Sequence, residues 1–119
     1  MARIKVKNLL LRTYIGLKKE EQDNLQDVVI NFEIDADVPD KAIHEDAPDG
    51  IVNYRTVTKK IIALVQENRY NLLEVLTHKI LDLIFEEDSV KWAKVEVDKP
   101  HALRFAESVS ITMERNRNE

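Results

Sequence analysis

Lys99 continues the alternation of Ala93, Val95 and Val97, so its side chain points to the apolar side of that segment. It stands at the segment's end, just before Pro100. A lysine facing apolar neighbours is costly unless it is paired or put to use. Partial burial disfavours an ammonium ion, and a lysine shifted toward neutrality can take and return protons. The structural alternative is a stem that snorkels past the strand end into water.

Glu74 has two readings. Asn71-Leu72-Leu73-Glu74 has the spacing of a capping box, with an N-cap amide and a carboxylate three residues on. A carboxylate at a helix start can also accept two hydrogen bonds from a 2-amino-pyrimidinone edge, while free backbone N–H groups bind the ring carbonyl. Glu20 and Glu21 stand beside Lys18 and Lys19, where a solvated charge cluster is the plain reading. Tyr54 heads a helical segment, and its plain role is a core or interface aromatic.

Other chemistries find little support. His44, His78 and His101 fall in different elements, and none pairs at a metal-ligand spacing, so no metal site is expected. His78 falls on the wet side of its helix. Ser108 and Ser110 lack a nucleophile elbow. Gly16 and Gly50 are the only glycines, too few for a phosphate-cradling loop.

The elements that must position these residues are legible from periodicity. Residues 3–15 read as a strand, with Ile4 and Val6 alternating against Lys5 and Lys7. In residues 28–38, Val28, Ile30, Phe32, Ile34, Ala36 and Val38 alternate with Val29, Asn31, Glu33, Asp35 and Asp37, which reads as a half-buried antiparallel strand. The link from Gly16 to Asn24 is polar and longer than a tight turn. Residues 39–53 hold two of the three prolines and read as a loop with a short helical turn. Tyr54, Val57, Ile61, Leu64 and Val65 recur at helical spacing over 54–68. A second helix opens at Asn71, carries Leu73, Leu76, Ile80, Leu83 and Ile84 on one face, and closes at the acidic run Glu86-Glu87-Asp88. Residues 90–99 and 105–114 are two more strands. The order ββααββ predicts an α+β layer, a four-stranded antiparallel sheet with two helices on one face. Such a sheet has two open edges, which natural proteins seldom leave bare, so it is expected to continue into neighbouring subunits.

With 119 residues the chain suits one domain, 1–119, and a chain this short gains from association. The net charge of −4, with bases and acids mixed along the chain, argues against a nucleic-acid partner. There is no cysteine, hence no disulfide, thiol nucleophile or zinc–thiolate site. No apolar run spans a bilayer and no signal core opens the chain, so no membrane partner and a cytoplasmic location are expected.

Four stretches together resemble the dihydroneopterin aldolase and epimerase family. They are Arg12-Thr13-Tyr14-Ile15-Gly16 with Glu21 and Gln26; Asn53 through Lys59; Leu72-Leu73-Glu74; and Asp98-Lys99-Pro100 with His101-Ala102-Leu103-Arg104. They follow the family order over nearly the whole chain. Leu11-Arg12-Thr13, Asn53 through Lys59, and His101 through Arg104 with Ala106 through Ser110 are similar to the epimerase branch. Pro100 departs from it, a Lys-Pro pair being more typical of the aldolases.

The resemblance implies the tunnelling fold, in which ββααββ subunits join their sheets into a barrel-like ring, and two tetrameric rings stack into a homo-octamer. Sites lie between adjacent subunits. It implies that Glu74, with the backbone of Leu73, anchors a dihydropterin. Tyr54 would come from the neighbouring subunit, with Val52 and Asn53 beside it. Lys99 would be the main acid–base group and Glu21 would order the side-chain hydroxyls or a water. The implied reaction is epimerisation at C2' of dihydroneopterin triphosphate by retro-aldol and aldol steps, with the aldolase reaction as the alternative. No cofactor is implied, because the dihydropterin ring is its own electron sink. His101 and Arg104 are candidates for the triphosphate, with Lys18 and Lys19 as alternates. A non-catalytic ring-forming binding protein is the reading from another class.

Overall fold

Alternation along the chain becomes one curved sheet in the computed structural model, which describes residues 1–118. The elements run β1 (Ala2–Ile15), α1 (Lys19–Asp23), β2 (Gln26–Ala36), α2 (Asp40–Glu45), α3 (Tyr54–Gln66), β3 (Arg69–Tyr70), α4 (Leu73–Ile84), β4 (Val90–Pro100) and β5 (Ser108–Asn116). The strand order is β3-β1-β2-β4-β5. The β1–β2, β2–β4 and β4–β5 pairs are antiparallel, as the four-stranded expectation requires. The added strand β3 has two residues and pairs in parallel with Tyr14 and Ile15.

The two long helices cover one face. Val28, Ile30, Phe32 and Ile34 of β2 and Ala93, Val95 and Val97 of β4 are fully buried beneath Val57, Ile61 and Val65 of α3 and Leu76, Ile80 and Ile84 of α4. Burial of each such side chain contributes about 1.5–3 kcal/mol. The opposite face carries Asn31, Glu33 and Asp35, only partly covered. Here Arg3 forms a bidentate pair with Asp35, at 2.7 and 2.8 Å, and stacks on Trp92.

The register of β1 against β2 depends on one irregularity. Ile4 and Val6 face the core from even positions, whereas Leu9, Leu11, Thr13 and Ile15 do so from odd ones. The change of phase falls between Val6 and Leu9, where pairing with β2 shifts. Asn8 takes a left-handed conformation there, φ 56°, and its N–H donates to the Asn31 side chain at 2.8 Å. The bulge keeps both halves of a fourteen-residue strand apolar side in.

Boundaries differ from expectation at two strands. β2 stops at Ala36 rather than 38, because its register with β4 breaks after Asp35 and the Asp37 N–H turns to the Ser89 carbonyl. β5 starts at Ser108 rather than 105. His101 and Phe105 both have positive φ, which curls the connection away from the sheet and leaves Phe105 97% exposed. β5 also forms one open edge of the sheet, with Val109, Ile111 and Met113 only half-buried. No helix among the described residues is long and apolar enough to cross a membrane.

Candidate active site

Three strand ends meet at one end of the sheet. They are the last residues of β1, the first of β2 and the last of β4, brought level by the antiparallel pairings. Lys99 projects to the core side there, its side chain only 11% exposed, and its Nζ donates to Oε2 of Glu21. It does not snorkel to water. Glu21 is no free member of a charge cluster either, since α1 folds back over the strand end and presents it to Lys99.

Further contacts hold the carboxylate. Its Oε1 accepts from the Lys18 backbone N–H at 3.3 Å. The Gln26 amide supports it from β2 and donates to the Ile15 carbonyl at 3.0 Å. The hydrogen bond from Lys99 holds the Glu21 carboxyl below its ordinary range, against the opposing pull of partial burial, with the Lys18 N–H and Gln26 adding to the lowering. An ionised acceptor and an ammonium donor thus share a hydrogen bond in a partly dry corner, an arrangement fit to exchange a proton with a bound hydroxyl. α1 is strapped from outside by Arg69, which donates to the Gln22 carbonyl at 2.8 Å and stacks on Tyr14 at 3.9 Å.

The start of α4 lies close by in the backbone. Gly16, which packs against Glu21, donates its N–H to the Tyr70 carbonyl at 3.0 Å, and α4 begins three residues later. The capping box is not formed. Leu72, not Asn71, holds the N-cap position, and no side chain caps the helix. Leu73 itself is buried. Glu74, in the first turn, is exposed and makes no hydrogen bond or ion pair among the described residues. Unsatisfied N–H groups and a free carboxylate are therefore side by side.

Tyr54 is elsewhere. The far end of α3 is tied to this end of β1, where the Thr13 hydroxyl donates to the Val65 carbonyl at 2.7 Å. Tyr54 starts that helix, so roughly 17 Å of helix separates it from the tie at Val65, at 1.5 Å per residue. It is 57% exposed, not a core aromatic. Val52 beside it is buried, and the Asn53 side chain accepts from the N–H groups of Arg55 and Thr56 at 3.0 and 3.2 Å. One chain thus brings Lys99, Glu21, Leu73 and Glu74 to one end and leaves Val52, Asn53 and Tyr54 at the other.

An open depression of about 320 Å³ adjoins the Lys99–Glu21 pair, lined by Lys18, Asn24, Gln26 and His101 among others. Arg104 is not on it; its guanidinium stacks on Phe105 at 5.2 Å and joins no ion pair among the described residues. The roles of Gly16, Gln26 and Arg69 in holding Glu21 escaped the reading of patterns. The available signal was a glycine five residues ahead of the glutamate in a chain with two glycines.

The family model for dihydroneopterin aldolase matches residues 4–114. The chain belongs to the dihydroneopterin aldolase family. It is 56% identical over 117 residues to the dihydroneopterin triphosphate 2'-epimerase of Pseudomonas aeruginosa, covering 98% of this chain and 94% of that one. It is 52% identical to the Escherichia coli epimerase of the same name over 92% of this chain and 91% of that one. The E. coli dihydroneopterin aldolase is 25% identical over 113 residues, 95% of this chain and 92% of that one. A solved structure of E. coli dihydroneopterin aldolase with neopterin superposes with a TM-score of 0.89 at 24% identity, over 98% of this chain and all of that one, which shares the fold.

Proposed function

We propose that this protein inverts C2' of 7,8-dihydroneopterin triphosphate to give dihydromonapterin triphosphate. The observation that carries this is the Lys99–Glu21 pair beside the uncapped start of α4, in a chain more than half identical to curated epimerases over nearly its whole length. Glu74 takes the amino-pyrimidinone edge through charge-assisted hydrogen bonds, and the free N–H groups at Leu73 meet the ring carbonyl. The side chain of the substrate then lies toward Lys99 and Glu21.

The pair acts on the 2'-hydroxyl. Its proton passes to the Lys99–Glu21 couple, directly or through a water. The C1'–C2' bond breaks, the 2'-oxygen becomes an aldehyde, and the bonding electrons move into the C6=N5 unit as an enamine. The aldehyde fragment keeps the triphosphate. If it turns over and the enamine attacks its other face, the bond re-forms, the 2'-oxygen recovers its proton and C2' is inverted. If C1' is protonated and the aldehyde leaves, 6-hydroxymethyl-7,8-dihydropterin results, which is the aldolase reaction. Retention of the aldehyde decides between them. Lys18 and His101, on the depression next to the pair, hold the phosphates, with Arg104 and Lys19 further out.

The ring is completed by a neighbour. Its Tyr54, with Val52 and Asn53, closes the pterin site across the subunit boundary, which gives the helix start left stranded in one chain a use. The assembly is a homo-octamer of two stacked tetrameric rings, working in the cytoplasm as one 119-residue domain without metal or cofactor.

The test is incubation with dihydroneopterin triphosphate, oxidation, and chromatography resolving neopterin from monapterin. A monapterin product of unchanged mass establishes the epimerase; hydroxymethylpterin alone moves the assignment to the aldolase. Lys99→Ala should lower the rate by at least ~100-fold. A variant that keeps full function would instead mark a binding scaffold.

A further inference from the structure

We propose that Gly16 is a positioning residue for the reaction, because the space left by its missing side chain is where the Glu21 carboxylate lies as it meets Lys99. A Cβ built on Gly16 would fall on the Glu21 carboxyl group, within 3.0 Å of its carbon and both oxygens. The backbone cannot retreat to make room. The Gly16 N–H is held by the Tyr70 carbonyl at 3.0 Å, and the preceding Ile15 carbonyl by the Gln26 amide, also at 3.0 Å. Gln26 and the Lys18 N–H then fix the carboxylate from its other sides.

Gly16 also has φ 135°, a conformation that L side chains rarely adopt. Conformation alone would make it a structural glycine, sensitive to substitution whatever stands at position 21. The close approach adds a dependence on Glu21, and that dependence separates positioning from folding. An added methyl group must push the carboxylate off Lys99, which removes the partner of the acid–base group without touching the pterin anchor at Glu74.

The inference rests on the Lys99–Glu21 pair being the reacting pair, and the experiment tells the two apart. Wild type, Gly16→Ala, Glu21→Ala and the double variant are compared for turnover of dihydroneopterin triphosphate and for Tm. Gly16→Ala should lower kcat by roughly 100-fold, as misplacement by about 1 Å does, with KM little changed. In the Glu21→Ala background the same change should lower kcat by no more than about twofold, since coupled sites are non-additive. Equal losses in both backgrounds, or a rise in KM without loss of kcat, would overturn the role of Gly16 while leaving the epimerase standing. If Gly16→Ala fails to fold, recovery of a cooperative thermal transition in the double variant supports the contact, and an unfolded double variant overturns it. No turnover by wild type sinks both readings.

Discussion

At the start of α3 the Asn53 side chain accepts from two backbone N–H groups, whereas at the start of α4 Leu72 stands in the same position and offers nothing. Both starts carry candidate site residues. The first is finished internally, so in the proposed site its contribution would be a rigidly placed Tyr54. The second is left uncapped, with the Glu74 carboxylate unclaimed among the described residues, so in the proposed site its contribution would be direct recognition. A helix end left without partners is a local cost that only a ligand or water offsets.

The largest effect should come from breaking the open end. Glu74→Ala should weaken pterin binding by roughly 100-fold, the loss of two hydrogen bonds to a charged group, with Tm almost unchanged because the carboxylate caps nothing. A stability loss of about 1 kcal/mol with intact affinity would return Glu74 to a capping role. Titration with a dihydropterin and a thermal melt separate the two. Asn53→Ala should do the reverse. It should cost about 1 kcal/mol, some 4 °C in Tm, and disturb binding only through Tyr54. Leu72→Asn sharpens the contrast by installing the missing cap. Leu72 is 42% exposed, so little burial is lost. Tm should rise by a few degrees while KM for the pterin rises, as the amide competes for the N–H groups.

The smallest effect concerns the pair between these helix ends. Glu21 is held below its ordinary 4.5 by the bond from Lys99. Its folded pKa is the lower one, so its contribution to stability is present at neutral pH. It fades as pH falls below the unfolded value and through the folded one. Glu21→Gln should therefore be less stable than wild type at neutral pH, and the gap in Tm should close in acid. A gap that stays constant from neutral pH to about pH 3 would show that the charge of Glu21 contributes nothing.

Much of this was legible in the sequence, for a physical reason. Where one face of a strand is buried, a period of two is imposed on residue type, so β2 and the inward aim of Lys99 could be read directly. The N-terminal half of β1 was read correctly, but its bulge could not be, because Asn8 is compatible with an ordinary loop or strand. The strand β3 was invisible, since two residues carry no period and their pairing with Tyr14 and Ile15 spans more than fifty residues of chain. The polar link around Glu21 has no period either. Charge density pointed to a solvated loop, and only family likeness singled out Glu21. Asn71 illustrates the limit of a motif. It had the right spacing for a cap, yet the helix starts after Leu72, and a difference of one residue changes Glu74 from a cap into a free carboxylate.

The distance along α3 has a meaning for inheritance as well as for geometry. Lys99 and Tyr54 sit at opposite ends of one subunit, so in the proposed ring each chain would keep its lysine in a site completed by one neighbour and give its tyrosine to the site of another. Damage at Tyr54 and damage at Lys99 would then fall on different halves of every site. Two defective copies of the gene, one carrying each lesion, would build mixed rings in which some sites receive two sound halves, so a cell holding both would recover activity that neither copy supports alone.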